Sequence, residues 1–184
     1  QKKFKNAAKP YPHKELDTWR ANFTGLSNLH EQTNLHVVGA VDDVWVNDGG
    51  ELIVVDYKAT AKDKPVTSLG PVGGWQDSYR RQMEVYQWLL RANGHKVSDT
   101  GYFVYATGTT AKDGFNDVIE FETHVFPHEG SDTWVDDTLE KMKQSMEGDM
   151  PAVGQAAMGG ECDYCAYARS RTELTLEAIK TKRK

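Results

Sequence analysis

Two aspartates and a lysine lie on two neighbouring runs of apolar and β-branched residues, Asp42 within the first run and the other two at the end of the second. Asp42 falls inside "GAVDD", and Asp56 and Lys58 fall inside "VVDYK". Side chains alternate along a strand, so we expect Asp56 and Lys58 on one face and Tyr57 on the other. An Asn-Asp-Gly-Gly turn between the two runs predicts an antiparallel hairpin, which would bring Asp42 near the other two charges.

These residue types are suited to the hydrolysis of a phosphodiester. Mg2+ prefers oxygen ligands and keeps several waters, so two carboxylates and a backbone carbonyl such as that of Tyr57 suffice to hold it. A metal held there polarises a phosphoryl oxygen and lowers the pKa of a bound water. The lysine would orient that water or neutralise the charge that develops on phosphorus.

Two other interpretations of the same residues have to be weighed, and a short motif taken alone favours the first of them. An Asp-x-Lys at a strand end can be a surface ion pair that contributes under about 1 kcal/mol. Asp56, however, follows four apolar residues, and Asp42 interrupts an apolar strand. Carboxylates acting as acid and base, as in glycosidases, are disfavoured because Lys58 would lower the pKa of both and spoil the acid role.

A predicted helix over residues 75–93 adds a third group. Gln82 and Tyr86 are four residues apart, so they share one face of the helix. With Tyr79 and Met83 they could form an ordinary packing stripe. A glutamine is unusual in such a stripe because its amide needs hydrogen-bond partners, which leaves a role facing the carboxylates as the alternative.

The elements that would position these residues form a mixed α/β domain. Periodicity and turn signals predict three helices and four strands, with no internal repeat and no regular βαβ alternation. A lysine-rich lead-in (1–12) precedes them, and a charged tail that is compatible with a helix follows. The predicted elements are a helix at 13–23, strands at 35–46 and 52–57, a loop at 62–74, a helix at 75–93, strands within 97–107 and 118–126, a helix at 134–146 and a linker at 151–160.

Length and composition restrict the class of protein. The chain has 184 residues, 39% hydrophobic and 27% charged, which suits one globular domain with its own core. No apolar run is long enough to span a membrane. The formal charge of −5 argues weakly against a nucleic-acid binder, although both ends are rich in lysine, most simply as solvated tails. Because the sequence begins at Gln1, we expect a chain shortened at its N-terminus.

Taken together, the three motifs resemble the PD-(D/E)XK nuclease superfamily, and specifically its RecB-type (CRISPR-associated or AddB-like) exonuclease branch. That branch has a Gly-x-hydrophobic-Asp strand, an Asp-x-Lys strand and a helix with Gln-x3-Tyr. The resemblance spans about residues 35–93, and the matching pairs are Gly39/Asp42, Asp56/Lys58 and Gln82/Tyr86.

The resemblance implies a fold, an activity and a role for each residue. The fold would be a restriction-endonuclease-like mixed sheet flanked by helices, with an αβββαβ-type core. The activity would be Mg2+- or Mn2+-dependent cleavage of single- or double-stranded DNA, with Asp42 and Asp56 as metal ligands and Lys58 as the catalytic lysine. Gln82 and Tyr86 would assist near the site or the DNA. Members often take another ligand from the first helix, for which the candidates are His13, Glu15 and Asp17, with Glu15 preferred.

The two cysteines form a separate motif near the end of the chain. Cys162 and Cys165 are spaced C-x2-C, which is half of a tetrahedral metal site and no disulfide framework. "CDYCAY" resembles the ending of RecB-type nucleases that hold an iron–sulfur cluster. A cluster or zinc would need partner cysteines before Gln1; otherwise we expect two free thiols. Reduced cysteines fit a reducing compartment, so we expect a cytoplasmic protein.

The sequence therefore predicts one nuclease-like domain over residues 1–184, including a cysteine-containing segment at 161–184. The leading hypothesis is a metal-dependent DNA exonuclease that serves repair, recombination or defence. The alternative is a catalytically silent module with the same fold that binds nucleic acid or protein. Retention of Asp42, Asp56 and Lys58 argues against that alternative.

Overall fold

The computed structural model describes residues 8–110, 117–150, 152–156 and 159–182. The chain divides into two compact units, residues 1–140 and 141–184. In chain order the elements are β1 (Ala8–Pro10), α1 (Leu16–Trp19), β2 (Leu26–His30), β3 (Leu35–Gly39), β4 (Asp43–Asn47), β5 (Leu52–Lys62), α2 (Asp77–Ala92), β6 (Thr100–Thr109), β7 (Phe121–Glu129), α3 (Val135–Glu147) and α4 (Asp163–Lys182).

A five-stranded mixed sheet in the order β1-β4-β5-β6-β7 forms the centre of the first unit. The predicted hairpin is confirmed, because β4 and β5 pair antiparallel around the turn, with Trp45 opposite Ile53. Helix α2 then carries the chain across the sheet, so that β6 runs parallel to β5 and places Tyr105 opposite Lys58. Strand β7 returns antiparallel to β6. The sheet and its flanking helices have the restriction-endonuclease-like architecture that was expected.

The apolar face of α2 packs on this sheet and forms the main core. Met83, Leu89 and Leu90 are fully buried with Val54 and Phe103 of the strands. Each such side chain contributes roughly 1.5–3 kcal/mol when it leaves water. The core therefore holds α2 firmly against β5 and β6, which are the elements that carry the predicted site.

Residues 35–46 do not form the single strand that was predicted. Strand β3 ends at Gly39, β4 begins at Asp43, and the chain breaks direction between them. The amide of Val41 bonds the carbonyl of Trp19 instead of a strand neighbour. Strand β3 belongs to a separate two-stranded sheet with β2, a strand that was not predicted.

Several other boundaries differ from the predictions. The first helix is only Leu16–Trp19, and part of the expected lead-in forms β1, which pairs with β4. Strand β5 runs on to Lys62, five residues past the predicted end. The last predicted strand is shifted to Phe121–Glu129. Of the lead-in, residues 1–7 lie outside the described part, as do residues 151, 157 and 158 of the linker.

The second unit contains the end of α3 and all of α4. Helix α3 confirms the helix expected near 134–146, and α4 shows that the charged tail is helical over its described residues. No helix in the described part of the chain is long and apolar enough to cross a membrane. The expectation of a single domain over residues 1–184 stays a prediction.

Candidate active site

The break between β3 and β4 places Asp42 beside the middle of β5. Its carboxylate accepts a hydrogen bond of 2.8 Å from the backbone amide of Tyr57. Asp42 is exposed, whereas Asp56, the preceding residue on β5, is only 2% exposed. One solvent-facing and one buried carboxylate therefore meet at the edge of the β4–β5 ladder.

Lys58 lies on the same face of β5 as Asp56, as strand alternation predicted. Its Nζ is 2.8 Å from Oδ2 of Asp56 and donates a hydrogen bond of 3.0 Å to Oδ1. The same ammonium donates to Oε1 of Gln82 at 3.2 Å and lies 4.4 Å from the centre of the Tyr79 ring. The carboxylate of Asp56, the amide oxygen of Gln82 and the ring of Tyr79 thus fix the position of the Lys58 ammonium.

Gln82 and Tyr86 face the strand residues, which favours the functional interpretation of the α2 stripe. Nε2 of Gln82 donates a hydrogen bond of 2.8 Å to the hydroxyl of Tyr86. Burial raises the pKa of the Tyr86 hydroxyl, and the nearby carboxylates of Asp42 and Asp56 add to the rise. All five predicted side chains, Asp42, Asp56, Lys58, Gln82 and Tyr86, are therefore brought together.

Gly39 allows α2 to approach this closely. A Cβ on Gly39 would lie 2.7 Å from a ring carbon of Tyr86 and 3.0 Å from a methyl of Leu89. Both distances are too short for carbon atoms, so a side chain here would push the helix away. The close packing of Tyr86 and Leu89 thus explains why a glycine stands at position 39, which the spacing of the motif alone did not explain.

Asp56 is a buried carboxylate that is held beside Lys58. Burial raises the pKa of its carboxyl, and the adjacent Lys58 only partly opposes the shift. Nζ of Lys58 lies 2.8 Å from one carboxylate oxygen of Asp56 and 3.0 Å from the other. A buried carboxylate is costly unless a positive group pairs with it, and a metal ion at this position would lower that cost further.

Asp43, the neighbour of Asp42, stabilises the break between β3 and β4, and the sequence analysis assigned it no role. Its carboxylate accepts bonds from Arg20 at 2.6 Å and from the Tyr57 hydroxyl at 2.8 Å. Arg20 also donates to the backbone carbonyl of Asp42 at 3.0 Å. Burial and the bond to Asp43 raise the pKa of Tyr57 to about 12, so its hydroxyl stays a donor. The adjacent aspartates of "GAVDD" were the sequence signal that could have pointed to Asp43, but only the fold shows that the two residues have different roles.

The candidate ligands from the first helix do not join this site. Glu15 accepts no bond from it; its amide bonds Nδ1 of His13, and its carboxylate lies 4.0 Å from Lys14. The ring of His13 stacks on Trp19. In the described part of the chain, no three His, Cys, Asp or Glu side chains form a group that could hold a metal, so neither these residues nor Asp17 completes the Asp42–Asp56 pair.

Cys162 and Cys165 belong to the second unit and are both free thiols. Backbone amides of Cys165 and Tyr164, at the start of α4, lower the pKa of the Cys162 thiol. Their use in an iron–sulfur or zinc half-site stays a prediction.

Comparison with known proteins decides the family. One family model matches residues 2–170 of the 184, and its description is the PD-(D/E)XK nuclease superfamily. The chain belongs to the PD-(D/E)XK nuclease superfamily. No curated protein and no solved structure matches it. The resemblance of the motifs is thereby confirmed at the level of the superfamily.

Members of this PD-(D/E)XK superfamily are typically nucleases that commonly use Mg2+ or Mn2+, so a nucleic acid is the expected substrate. The clustering of Asp42, Asp56 and Lys58 agrees with membership, since these are the residues that matched the superfamily motifs. The RecB-type branch and the role of each residue stay predictions.

Proposed function

We propose that this chain is a metal-dependent deoxyribonuclease that hydrolyses phosphodiester bonds at the Asp42–Asp56–Lys58 site. The observation that supports it best is that the exposed carboxylate of Asp42, the buried carboxylate of Asp56 and the ammonium of Lys58 lie at the end of one strand ladder, with Lys58 2.8 Å from Asp56. A simple ion pair would need only Asp56 and Lys58, whereas a backbone amide here also holds the carboxylate of Asp42 beside them.

The donor set fits Mg2+ or Mn2+. Asp42 and Asp56 offer two carboxylates and the backbone carbonyl of Tyr57 offers a neutral oxygen, which suits a hard cation that keeps most of its waters. When bound, such a cation supplies Lewis acidity toward a phosphoryl oxygen and toward water. Asp42 is also oriented in advance, because the Tyr57 amide holds one of its oxygens.

Lys58 would provide the positive charge at the reacting phosphate. Hydrolysis adds the oxygen of a water to phosphorus and breaks one bridging P–O bond, so negative charge grows on the phosphoryl oxygens and on the leaving oxygen. An ammonium already fixed by Asp56 and Gln82 can stabilise that charge without reorganising. Gln82 in turn is held by Tyr86, so both act as positioning residues.

We further infer that the substrate is DNA, that cleavage proceeds from DNA ends as in RecB-type exonucleases, and that the protein acts in repair, recombination or defence. The three motifs in order support the RecB-type assignment. The two free thiols support a reducing compartment, and we therefore propose a cytoplasmic location.

The proposal is tested by incubating the protein with linear and circular DNA, single- and double-stranded, in Mg2+, Mn2+ or EDTA. We expect loss of linear DNA that needs the metal, with circles spared. Cleavage of circular DNA would show that the protein is an endonuclease and not an exonuclease. Calorimetric titration of Mn2+ into wild type and Asp56→Asn provides a readout without DNA, and equal affinity in the two proteins would remove Asp56 as a ligand.

A further inference from the structure

Trp75 is a large aromatic side chain that the fold leaves in solvent. It is 64% exposed, whereas Trp19, Trp45 and Trp88 are buried in the cores. Exposing an indole forfeits the apolar burial that usually accounts for a tryptophan. The position of Trp75 therefore suggests a role in contacting another molecule.

Trp75 is connected to the candidate active site through a single side chain. Its ring lies 5.4 Å from that of Tyr79 in a T-shaped contact, and Tyr79 presents its ring to Nζ of Lys58 at 4.4 Å. Only one aromatic ring thus separates the exposed indole from the lysine proposed to face the reacting phosphate. A T-shaped contact leaves at least one face of the indole open.

The loop before α2 holds Trp75 in this place. Arg80 pairs with Asp77 and donates to the carbonyl of Gly70 at 2.7 Å, while the amide of Gly73 donates to Asp77 at 2.7 Å. Gly73 has a φ of +91°, a conformation that other residues rarely adopt. These bonds position the ring before any ligand arrives, which lowers the ordering cost of binding.

Polar side chains continue along the strand beyond Lys58. Thr60 and Lys62 follow on the same face of β5 at intervals of two residues, and Lys62 is exposed. An ammonium on this face extends the positive charge of Lys58 along the strand. Aromatic stacking beside a line of positive charge is the combination by which proteins hold single strands.

We propose that Trp75 stacks on a base of an unpaired DNA strand adjacent to the scissile phosphate. The substrate class is therefore single-stranded DNA or a single-stranded DNA end. A base inside a duplex is covered on both faces by its neighbours and offers no face to this indole, whereas an unpaired base can offer one. The inference rests on the proposed nuclease function and specifies the substrate of that same site.

Binding measured without cleavage tests this inference. Fluorescent 20-mer single strands and blunt duplexes are titrated in EDTA against wild type, Trp75→Ala, Trp75→Phe and the control Val72→Ala, whose side chain is 84% exposed in the same loop. We expect Trp75→Ala to weaken single-strand binding by about 5- to 100-fold and the phenylalanine variant to recover most of it. Duplex binding and the Val72→Ala variant should not change.

Two controls make the result specific to base stacking. Circular dichroism melting checks that each variant is folded. Single strands that each carry one abasic site, at a different position in each strand, are then compared. At one position the abasic site should weaken binding to wild type as much as Trp75→Ala does. The same site should have no further effect on binding to Trp75→Ala.

Equal single-strand affinity in wild type and Trp75→Ala would overturn the stacking inference. So would an equal loss of duplex affinity, or an abasic effect that persists in the variant. If the wild type cleaves DNA but fails all of these tests, Trp75 has no stacking role and the protein is still a nuclease. A wild type that neither binds nor cleaves DNA would overturn the proposed function as well.

Discussion

The backbone amide of Tyr57 donates a hydrogen bond of 2.8 Å to the carboxylate of Asp42. The last paired residues of the β4–β5 ladder are Asp43 and Val55, so this bond joins the two segments just past the end of the ladder. Tyr57 stands between Asp56 and Lys58 along the strand. A backbone donor thus places Asp42 beside both of them, and no side-chain substitution at position 57 removes it except proline.

Tyr57→Phe separates the roles of the amide and the hydroxyl. The variant keeps the bond to Asp42 but removes the donor to the carboxylate of Asp43. We expect about 1–2 kcal/mol less unfolding free energy in urea, because a hydrogen bond to a charged group is lost at a half-exposed residue. The rate of DNA cleavage should stay near that of wild type. A fall of more than about a hundredfold in a folded variant would instead assign chemistry to the hydroxyl.

Gly39→Ala should destabilise the contact between α2 and β3. The new methyl would meet the ring of Tyr86 at 2.7 Å, and overpacking of this kind costs about 1–3 kcal/mol. Because Tyr86 holds Gln82, we also expect slower cleavage below the unfolding transition. Gly49→Ala, in the exposed turn before β5, is the matched control for urea unfolding and for rate. If both variants lose the same stability, the close approach at Gly39 is unimportant.

Gln82→Ala tests whether the amide positions Lys58. The variant removes an acceptor for Nζ of Lys58 and the donor to Tyr86. Loss of a bond to a charged group predicts a fall in kcat of about 10- to 100-fold with little change in KM. Gln82→Glu retains an acceptor and should recover part of the rate, and Gln144→Ala on α3 serves as the control. A change confined to KM would indicate that Gln82 contacts the DNA.

The sequence predicted the parts of the site that depend on local periodicity. Alternation along β5 was enough to put Asp56 and Lys58 on one face, and the helical repeat put Gln82 with Tyr86. At the break over residues 40–42, Arg20 donates a hydrogen bond to the carbonyl of Asp42, which is 22 residues away along the chain. Long-range contacts of this kind leave no periodic pattern, so the mostly apolar run over residues 35–46 suggested a single strand.

The sequence could not distinguish the roles of Asp42 and Asp43 for a related reason. Asp42 and Asp43 are identical in type and differ only in which way the bent chain points them. Asp43 turns inward to Arg20 and Tyr57, and Asp42 turns outward. The preference for Glu15 stays a prediction, and Glu15 stands just before a first helix that is only four residues long.

Asp56→Asn should change how stability depends on pH. Burial raises the pKa of Asp56 above its usual value near 3.9. Its contribution to stability is therefore present below that value and is lost as the pH rises through the raised pKa. The unfolding free energy of wild type relative to Asp56→Asn should thus fall from pH 4 upward in metal-free urea experiments. A difference that stays constant, or that grows with pH, would show that the carboxylate is ionised at no cost.

The most direct measurement is single-turnover cleavage of linear DNA by wild type and Lys58→Ala, in Mg2+ and in EDTA. Lys96→Ala is the matched control, since that lysine is 69% exposed and pairs with Glu51. We predict cleavage by wild type and Lys96→Ala in Mg2+, none in EDTA, and a rate at least about a thousandfold lower for a folded Lys58→Ala protein. Equal rates for Lys58→Ala and wild type, or cleavage that survives EDTA, would contradict the assignment of this site.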